Sequence, residues 1–433
     1  MTSAEHLSAQ PPLPSPYDGS GKRRARRRRT HTVAKVLLST LLTLGMVSGL
    51  GVAFLYRHLN GNLNVVDITT QLHDRPEKVH VAHAPHQPIN ILVMGSDTRD
   101  GKGNDIDGLT GGGARSDTTI LVHLSADRQT AYGVSIPRDS LVTRPDCKAK
   151  DGDTIPGGTL QMWNAAFAYG GPACTVEQFE QTTGVRVDNY VVVDFNGFKG
   201  MVDAIGGVTV CVPAAIDDDI GHIHIAAGTR KLDGKEALSY VRVRHGVGDG
   251  SDIGRITRQQ AFVAAMVSKV LSEGTLARPD KVVRFLDAAT MSLTTDIKSI
   301  KDMARIGLQF QDIGLGHIRF LTVPFVYSTA EPGRVEWTDD AKTLWKKVSN
   351  DQDLGKLRDG SINAGDVPGV SSGSATPSTG SDDGSQGGAS GSTESPSDGS
   401  SSGSPSSTDS PSAGDSGSAN ASSDELAAAG LCT

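Results

Sequence analysis

The chain is short of several things, and each shortage closes a route. Four of its 433 residues are cysteine, and 5% are aromatic. Cys147, Cys174, Cys211 and Cys432 make no Cys-x-x-Cys pair and no Cys/His spacing of the zinc-holding kind. No strand-like run leads into a Gly-x-Ser-x-Gly elbow, so a Ser/His/Asp hydrolase has no sequence support. Asp97, Asp100, Asp105 and Asp107 lack the twelve-residue spacing and closing glutamate of a calcium loop. His222 and His224 share one strand face, but no third metal ligand accompanies them. No internal repeat is present, and Trp163, Phe167 and Tyr169 read as core rather than as a ligand box.

Positive charge is also scarce where it would matter for nucleic acid. The formal net charge is −7. Residues 1–60 carry nine Lys/Arg against two Asp/Glu, and the tail from Ser371 carries eight acids and no base. The region between is therefore net −6. Its arginines are not general basicity, and a nucleic-acid partner, which needs a basic face, is excluded. The basic run Lys22–Arg29 instead precedes an uncharged apolar run of 21 residues, Val36 to Tyr56. That length crosses a hydrocarbon core of about 30 Å. The positive flank predicts a cytoplasmic N-terminus, with everything after Arg57 outside. A cleaved signal peptide is the rival, but the run is too long and no Ala-x-Ala site follows directly. A single-pass signal anchor in the cell membrane is the expectation.

Composition divides the chain further. Residues 1–32 read as a polar, then basic, disordered segment, 33–56 as the membrane span and 57–86 as a spacer. Residues 351–433 read as a Ser/Gly/Asp-rich disordered tail, most strongly from Pro368, because so few apolar residues cannot offset chain entropy. Between them β and α signals alternate. Strands are expected at Ile89–Met94, Thr118–Leu124, Ala131–Ile136, Tyr190–Asp194, Val208–Val212 and Ile318–Thr322. Helices are expected at Met162–Tyr169, Thr175–Thr183, Asn196–Ile205, Asp233–Tyr240 and Asp339–Val348. The best-defined helix puts Val263, Met266, Val267, Val270 and Leu271 on one core face, and two amphipathic helices follow Pro279. Residues 87–275 make the main domain and 276–350 a helix-and-strand extension of it. The predicted fold is a three-layer α/β/α domain with a central mixed β-sheet, preceded by one transmembrane helix.

What the middle region does have is a pattern of arginines and aspartates: Asp97, Arg99, Arg115, Asp117, Arg138, Asp139, Arg242, Arg244, Asp252, Arg255 and Gln259. Guanidinium forks suit phosphate oxygens. Aspartates suit the Mg²⁺ that accompanies a pyrophosphate. Arg242 and Arg244 share a face if that segment is extended, and such a pair calls for an anion between them. Arg255 lies near a helix N-terminus, where backbone amides favour phosphate, with Gln259 one turn on. Asp97 and Asp117, each at a strand end, are the metal candidates; surface ion pairing with Arg99 and Arg115 is their bland alternative.

These segments, taken in order, resemble the LytR–CpsA–Psr family. The likeness runs over residues 88–272 through Asn90–Arg99 (NILVMGSDTR), Arg115–Thr119 (RSDTT), Ser135–Asp139 (SIPRD), Asn164–Gly171 (NAAFAYGG), Val202–Val208 (VDAIGGV), Gly234–Arg244 (GKEALSYVRVR) and Asp252–Gln260 (DIGRITRQQ). The resemblance implies a phosphotransferase that moves a glycopolymer from a polyprenyl-pyrophosphate donor to a muramic acid hydroxyl of peptidoglycan, with Mg²⁺. It implies Asp97 and Asp117 as metal ligands. Arg99, Arg115, Arg138, Arg242, Arg244, Arg255 and Gln259 would grip the pyrophosphate. Arg255 is the expected catalytic cation, and Asp139 and Asp252, as nearby carboxylates, are the candidate general bases and catalytic residues. One departure stands out: where members carry a lysine before the Asn-Ala-Ala segment, this chain has Met162 and Trp163.

Two readings compete. A non-catalytic protein that holds anionic wall polymer would use the same arginines without needing the aspartates. A pyrophosphate hydrolase would put water where the sugar hydroxyl stands. Teichoic acid, arabinogalactan and capsular glycan all fit as the polymer.

Overall fold

The structure, a computed structural model, describes residues 24–97, 116–218, 223–243 and 252–367, with backbone alone for 24–31, 252, 253 and 273. The chain divides into two units between Gly61 and Asn62. The first is the helix α1 (Arg24–Asn62), whose stretch Thr32–Asn62 is by length and composition long enough to cross a membrane.

The second unit is built on a sheet. In chain order its elements are β1 (Asn64–Val65), β2 (Ile89–Ser96), β3 (Ser116–Leu124), β4 (Ala131–Ile136), β5 (Leu141–Arg144), β6 (Cys147–Lys148), β7 (Thr154–Ile155), β8 (Gly158–Met162) and α2 (Ala165–Thr183). Then come β9 (Asn189–Val193), α3 (Phe195–Ala204), β10 (Val208–Val212), β11 (Ile216–Asp218), β12 (Ile223–Ile225), β13 (Gly228–Leu232), α4 (Gly234–Arg242) and α5 (Asp252–Leu271). The last are α6 (Glu273–Leu276), α7 (Pro279–Ser292), β14 (Leu293–Thr295), α8 (Ile300–Ile313), β15 (Ile318–Thr322), β16 (Phe325–Tyr327), β17 (Val335–Trp337), α9 (Asp339–Ser349) and β18 (Ile362–Asn363). Eight strands form one mixed sheet in the order β1-β14-β9-β2-β3-β4-β15-β18. β2, β3 and β4 run antiparallel to their sequence neighbours, while β9 joins β2 and β15 joins β4 in parallel.

Strand alternation gives the sheet two buried faces. Along β3, Thr119, Leu121 and His123 point one way, and Thr118, Ile120 and Val122 the other. The first face is closed by α2 and α9. Leu92, Met94, Leu121, Val134, Phe179, Leu344 and Trp345 form one buried cluster there. All three tryptophans join it: Trp163 and Trp345 meet Phe179 edge-on at 6.3 and 5.5 Å, and Trp337 lies between the two indoles. The second face is covered by α3, α4 and α5.

Local chemistry explains the ends of several elements. Asp194 caps α3 by accepting from Gly197 N at 2.7 Å, and Gly206 and Gly207, at φ +79° and +86°, end it. α4 opens with a capping box between Asp233 and Glu236. Gly184 closes α2 in the left-handed region.

The expected strands and the β3–β4 hairpin are present, but several expectations change. The helix expected over Met162–Tyr169 begins at Ala165, Met162 closing β8, and it joins the second expected helix in α2 through a kink at Gly170–Gly171, where Pro172 denies an amide to the ladder. Val241 and Arg242 are helical rather than extended, because Ala237, Leu238 and Val241 extend the buried stripe of a well-capped helix. On α5, Ala261, Phe262, Ala264 and Ala265 are the most buried residues, and the expected face is only half-buried. The tail is ordered to Val367: Leu354, Ile362, Ala364 and Val367 are buried, and β18 pairs with β15. From Asn64 onward the expected spacer packs on the sheet domain. β1 joins β14, and Arg75 grips the buried Glu180 through Nε at 2.7 Å and through Nη2. The 276–350 extension is part of the same sheet through β14 and β15.

Cys147 and Cys174 form a disulfide that ties β6 to α2. Cys211 is buried in β10. Tyr169 is exposed, with the Arg144 guanidinium 4.4 Å from its ring centroid, so it is not core.

Candidate active site

The motif residues converge because strand ends converge. Ser96 pairs with Ser116 and Thr119 with Ile136, so Asp97, Asp117 and the Pro137–Asp139 turn all leave the sheet at the same end. Arg138 sits between two carboxylates. Its Nη1 is 3.1 Å from Asp117 Oδ1, and its Nε is 3.2 Å from Asp139 Oδ2. Arg334 Nη1 takes the other Asp139 oxygen at 2.7 Å. Asp139 thus has both oxygens occupied by arginines. That geometry braces the turn that carries Arg138.

Beside this row lies a cavity of about 210 Å³ between the sheet and α3, α4 and α5. Its body is apolar: Ile120, Val122, Phe198, Met201, Phe262 and Phe320 line it. Gly133 helps to shape it, because a Cβ there would run into the Phe320 ring. Its polar lining comes from Asp117, Asp194, Arg242, Arg255 and Gln259. Arg242, the last residue of α4, stacks on Phe195 with its guanidinium carbon 4.7 Å from the ring centroid. Arg255 is buried in the first turn of α5, where unpaired amides and the helix dipole favour an anion. Gln259 accepts from Thr118 Oγ1 and donates to Val241 O, each at 3.1 Å, and so locks β3, α4 and α5 together. Arg258 Nη2 donates to Val243 O at 2.6 Å in the same joint.

Tyr240, buried on α4 two residues before Arg242, has its hydroxyl pushed up to about 12 by burial, so it stays neutral near pH 7. In place of the expected lysine, Trp163 is buried. Its Nε1 donates to Thr119 Oγ1 at 3.1 Å and its backbone N to Ser140 O at 2.9 Å.

Asp97, Asp117, Arg138, Asp139, Arg242, Arg255 and Gln259 therefore fall at one end of the sheet and along one cavity. Asp252 opens α5, its side chain undescribed. Arg99, Arg115, Arg244 and His222 lie outside the described residues. His224 is not brought here: it is exposed and pairs with Asp217. Arg334 and Phe195 are the residues sequence reasoning missed. Arg334 belongs to no motif, and Phe195 was hidden as an ordinary helix residue.

Among the described residues no group of three or more His, Cys, Asp and Glu could hold a metal by itself. Asp117 lines the cavity, and Asp97 follows β2 at the same end of the sheet.

The sequence model of the LytR_cpsA_psr family matches residues 55–352. The chain is 33% identical over 259 residues to the probable cell wall biosynthesis protein LcpB of Corynebacterium glutamicum, covering 58% of each chain. It is 31% identical over 275 residues to TagV of Bacillus subtilis, a polyisoprenyl-teichoic acid–peptidoglycan teichoic acid transferase, covering 62% of this chain and 65% of that one. The matches thus span less than two thirds of these relatives' lengths. Among solved structures, the Streptococcus agalactiae protein gbs0355 aligns with a TM-score of 0.50 at 23% identity, over 64% of this chain and 91% of that one. The B. subtilis TagV crystal structure aligns at 0.48 and 29% identity, over 61% and 98%.

Proposed function

The chain belongs to the LytR–CpsA–Psr family, and on that premise we propose that it is a membrane-anchored transferase that attaches a cell-wall glycopolymer to peptidoglycan. One observation carries the reading: an apolar cavity of about 210 Å³ has Arg242, Arg255, Gln259 and Asp117 among its lining residues. Apolar body and cationic rim match an amphiphile with a phosphorylated head. A polyprenyl pyrophosphate bearing the glycan has that form, with its chain along Ile120, Phe198 and Phe262 and its pyrophosphate at the arginines. The span α1 keeps the enzyme at the membrane that holds such a donor, with the N-terminus cytoplasmic and the domain outside.

The reaction forms a bond between an acceptor muramic acid hydroxyl oxygen and the glycan-bearing phosphorus. It breaks the bond from that phosphorus to the polyprenyl phosphate, which leaves. Phosphoryl transfer asks mainly for positioning and charge neutralisation. Arg255 and the first turn of α5 receive negative charge on the phosphoryl oxygens, and Arg242 and Arg138 flank them. Mg²⁺, when bound by Asp97 and Asp117, would neutralise charge on the pyrophosphate oxygens. Asp252, at the start of α5 in the motif that supplies Arg255, is our candidate to accept the hydroxyl proton.

The test uses the full chain in lipid nanodiscs with Mg²⁺, a polyprenyl-pyrophosphate-linked glycan and peptidoglycan oligomers. Mass spectrometry should find glycan phosphate linked to the acceptor, and Asp97→Ala should lose that product. Free glycan phosphate alone would identify a hydrolase. Donor binding without product in both proteins would identify a polymer-binding protein.

A further inference from the structure

The turn that carries Arg138 is clamped from outside the motif region. The hairpin β16–β17, in the C-terminal extension, meets it at three points. Val335 N donates to Asp139 O at 3.2 Å, Trp337 Nε1 donates to Ser140 Oγ at 3.0 Å, and Arg334 Nη1 donates to Asp139 Oδ1 at 2.7 Å. The first two hold the backbone and Ser140. The third differs, because it places a charge. Arg334 is about one-third exposed, Asp139 is mostly buried, and together with Arg138 and Asp117 they form an alternating row that ends at the cavity lining.

We propose that Arg334 is a positioning residue for anion binding: by occupying Asp139 Oδ1 it limits Asp139 to a single contact with Arg138, leaving the Arg138 guanidinium directed along Asp117 toward the cavity. Without Arg334, a freed carboxylate facing a guanidinium can close a two-pronged pair, which is the favoured geometry for these groups. Arg138 would then turn away from the head group and Asp117 would lose its contact. The inference rests on the pyrophosphate reading of this site.

The experiment measures binding of geranylgeranyl pyrophosphate by calorimetry, and donor KM and kcat for transfer, with the full chain in nanodiscs. The proteins are wild type, Arg334→Gln, Arg334→Lys and Trp337→Phe. Arg334→Gln should weaken binding about tenfold, the scale of one charge-assisted hydrogen bond, and raise donor KM with a smaller change in kcat. Arg334→Lys should recover most of the loss, because it restores the charge. Trp337→Phe removes the Ser140 contact and part of the packing on Trp163 and Trp345 but no charge, and should bind like wild type. If Arg334→Gln binds like wild type, or Trp337→Phe loses as much as Arg334→Gln, the positioning role is wrong. If wild type itself fails to bind the pyrophosphate, the functional reading falls and this inference with it. Should Arg334→Gln fail to fold, Arg334→Met, which keeps the apolar stem and removes the charge, takes its place, and wild-type binding by it overturns the role.

Discussion

The two faces of the central sheet are made from the same strands and differ in how they are filled. On one face, α2 and α9 press Trp163, Phe179 and Trp345 into a closed aromatic cluster. On the other, α3, α4 and α5 stand off and leave a cavity of about 210 Å³ whose walls are just as apolar. β3 serves both, with Leu121 in the packed cluster and Ile120 and Val122 on the cavity wall. The difference teaches that apolar side chains specify a buried face but not that the face is full. Protein interiors normally pack to crystal density, so apolar space left open marks a place kept for a ligand.

The comparison can be broken first on the packed face. Trp345→Ala should cost about 3–5 kcal/mol of stability, measured by chemical denaturation, because a large buried ring leaves a void in a tight cluster. A loss under about 1 kcal/mol would mean this face is as loose as the other. Next come the charges. Arg242→Ala and Arg255→Ala should each lower acceptor-linked product by roughly 10²–10³-fold while circular dichroism spectra stay native, the scale of losing one preorganised donor to developing charge. Unchanged transfer in both would remove the phosphate assignment.

A matched pair sharpens the contrast further. Val134→Phe on the packed face should destabilise by about 1–3 kcal/mol through overpacking. Val263→Phe on the cavity wall should leave the unfolding midpoint unchanged or raised, yet abolish binding of a polyprenyl-chain probe. Equal destabilisation by the two would show that the cavity is not available space.

The smallest effect concerns pH. Burial pushes the carboxyl of Glu177 on α2 up, against the opposing pull of the His73 N–H. As pH rises from the ordinary glutamate range toward that raised value, the unfolded chain gives up its proton first. The native state therefore loses stability over that window. Glu177→Gln should flatten this slope in unfolding midpoints taken across acidic pH, and an unchanged slope would refute it.

The strands were legible because period-two alternation in β3 and β4 and the apolar run of β2 dictate them. Helix ends were legible where capping chemistry is local, as at Asp233, Asp194 and Gly184. Segments governed by distant partners were not. β8 carries little apolar signal and exists through pairing with β5, and residues 354–367 are held by four buried side chains beneath β15's neighbours. The site was readable as a list of arginines and aspartates in motif order. The pairing of Asp139 with Arg334 was not legible, because nothing near Asp139 in sequence announces a partner 195 residues away.

The sequence by itself determined the apolar span, the α/β alternation, the family and the types of residue that meet a phosphate, since these depend on composition, periodicity and local spacing. Only the tertiary structure decided which face of the sheet stays open, that Arg242 ends a helix and rests on Phe195, and that Asp139 is shared by two arginines. Those outcomes depend on which side chains arrive from remote parts of the chain, and the free energy of such contacts has no local signature.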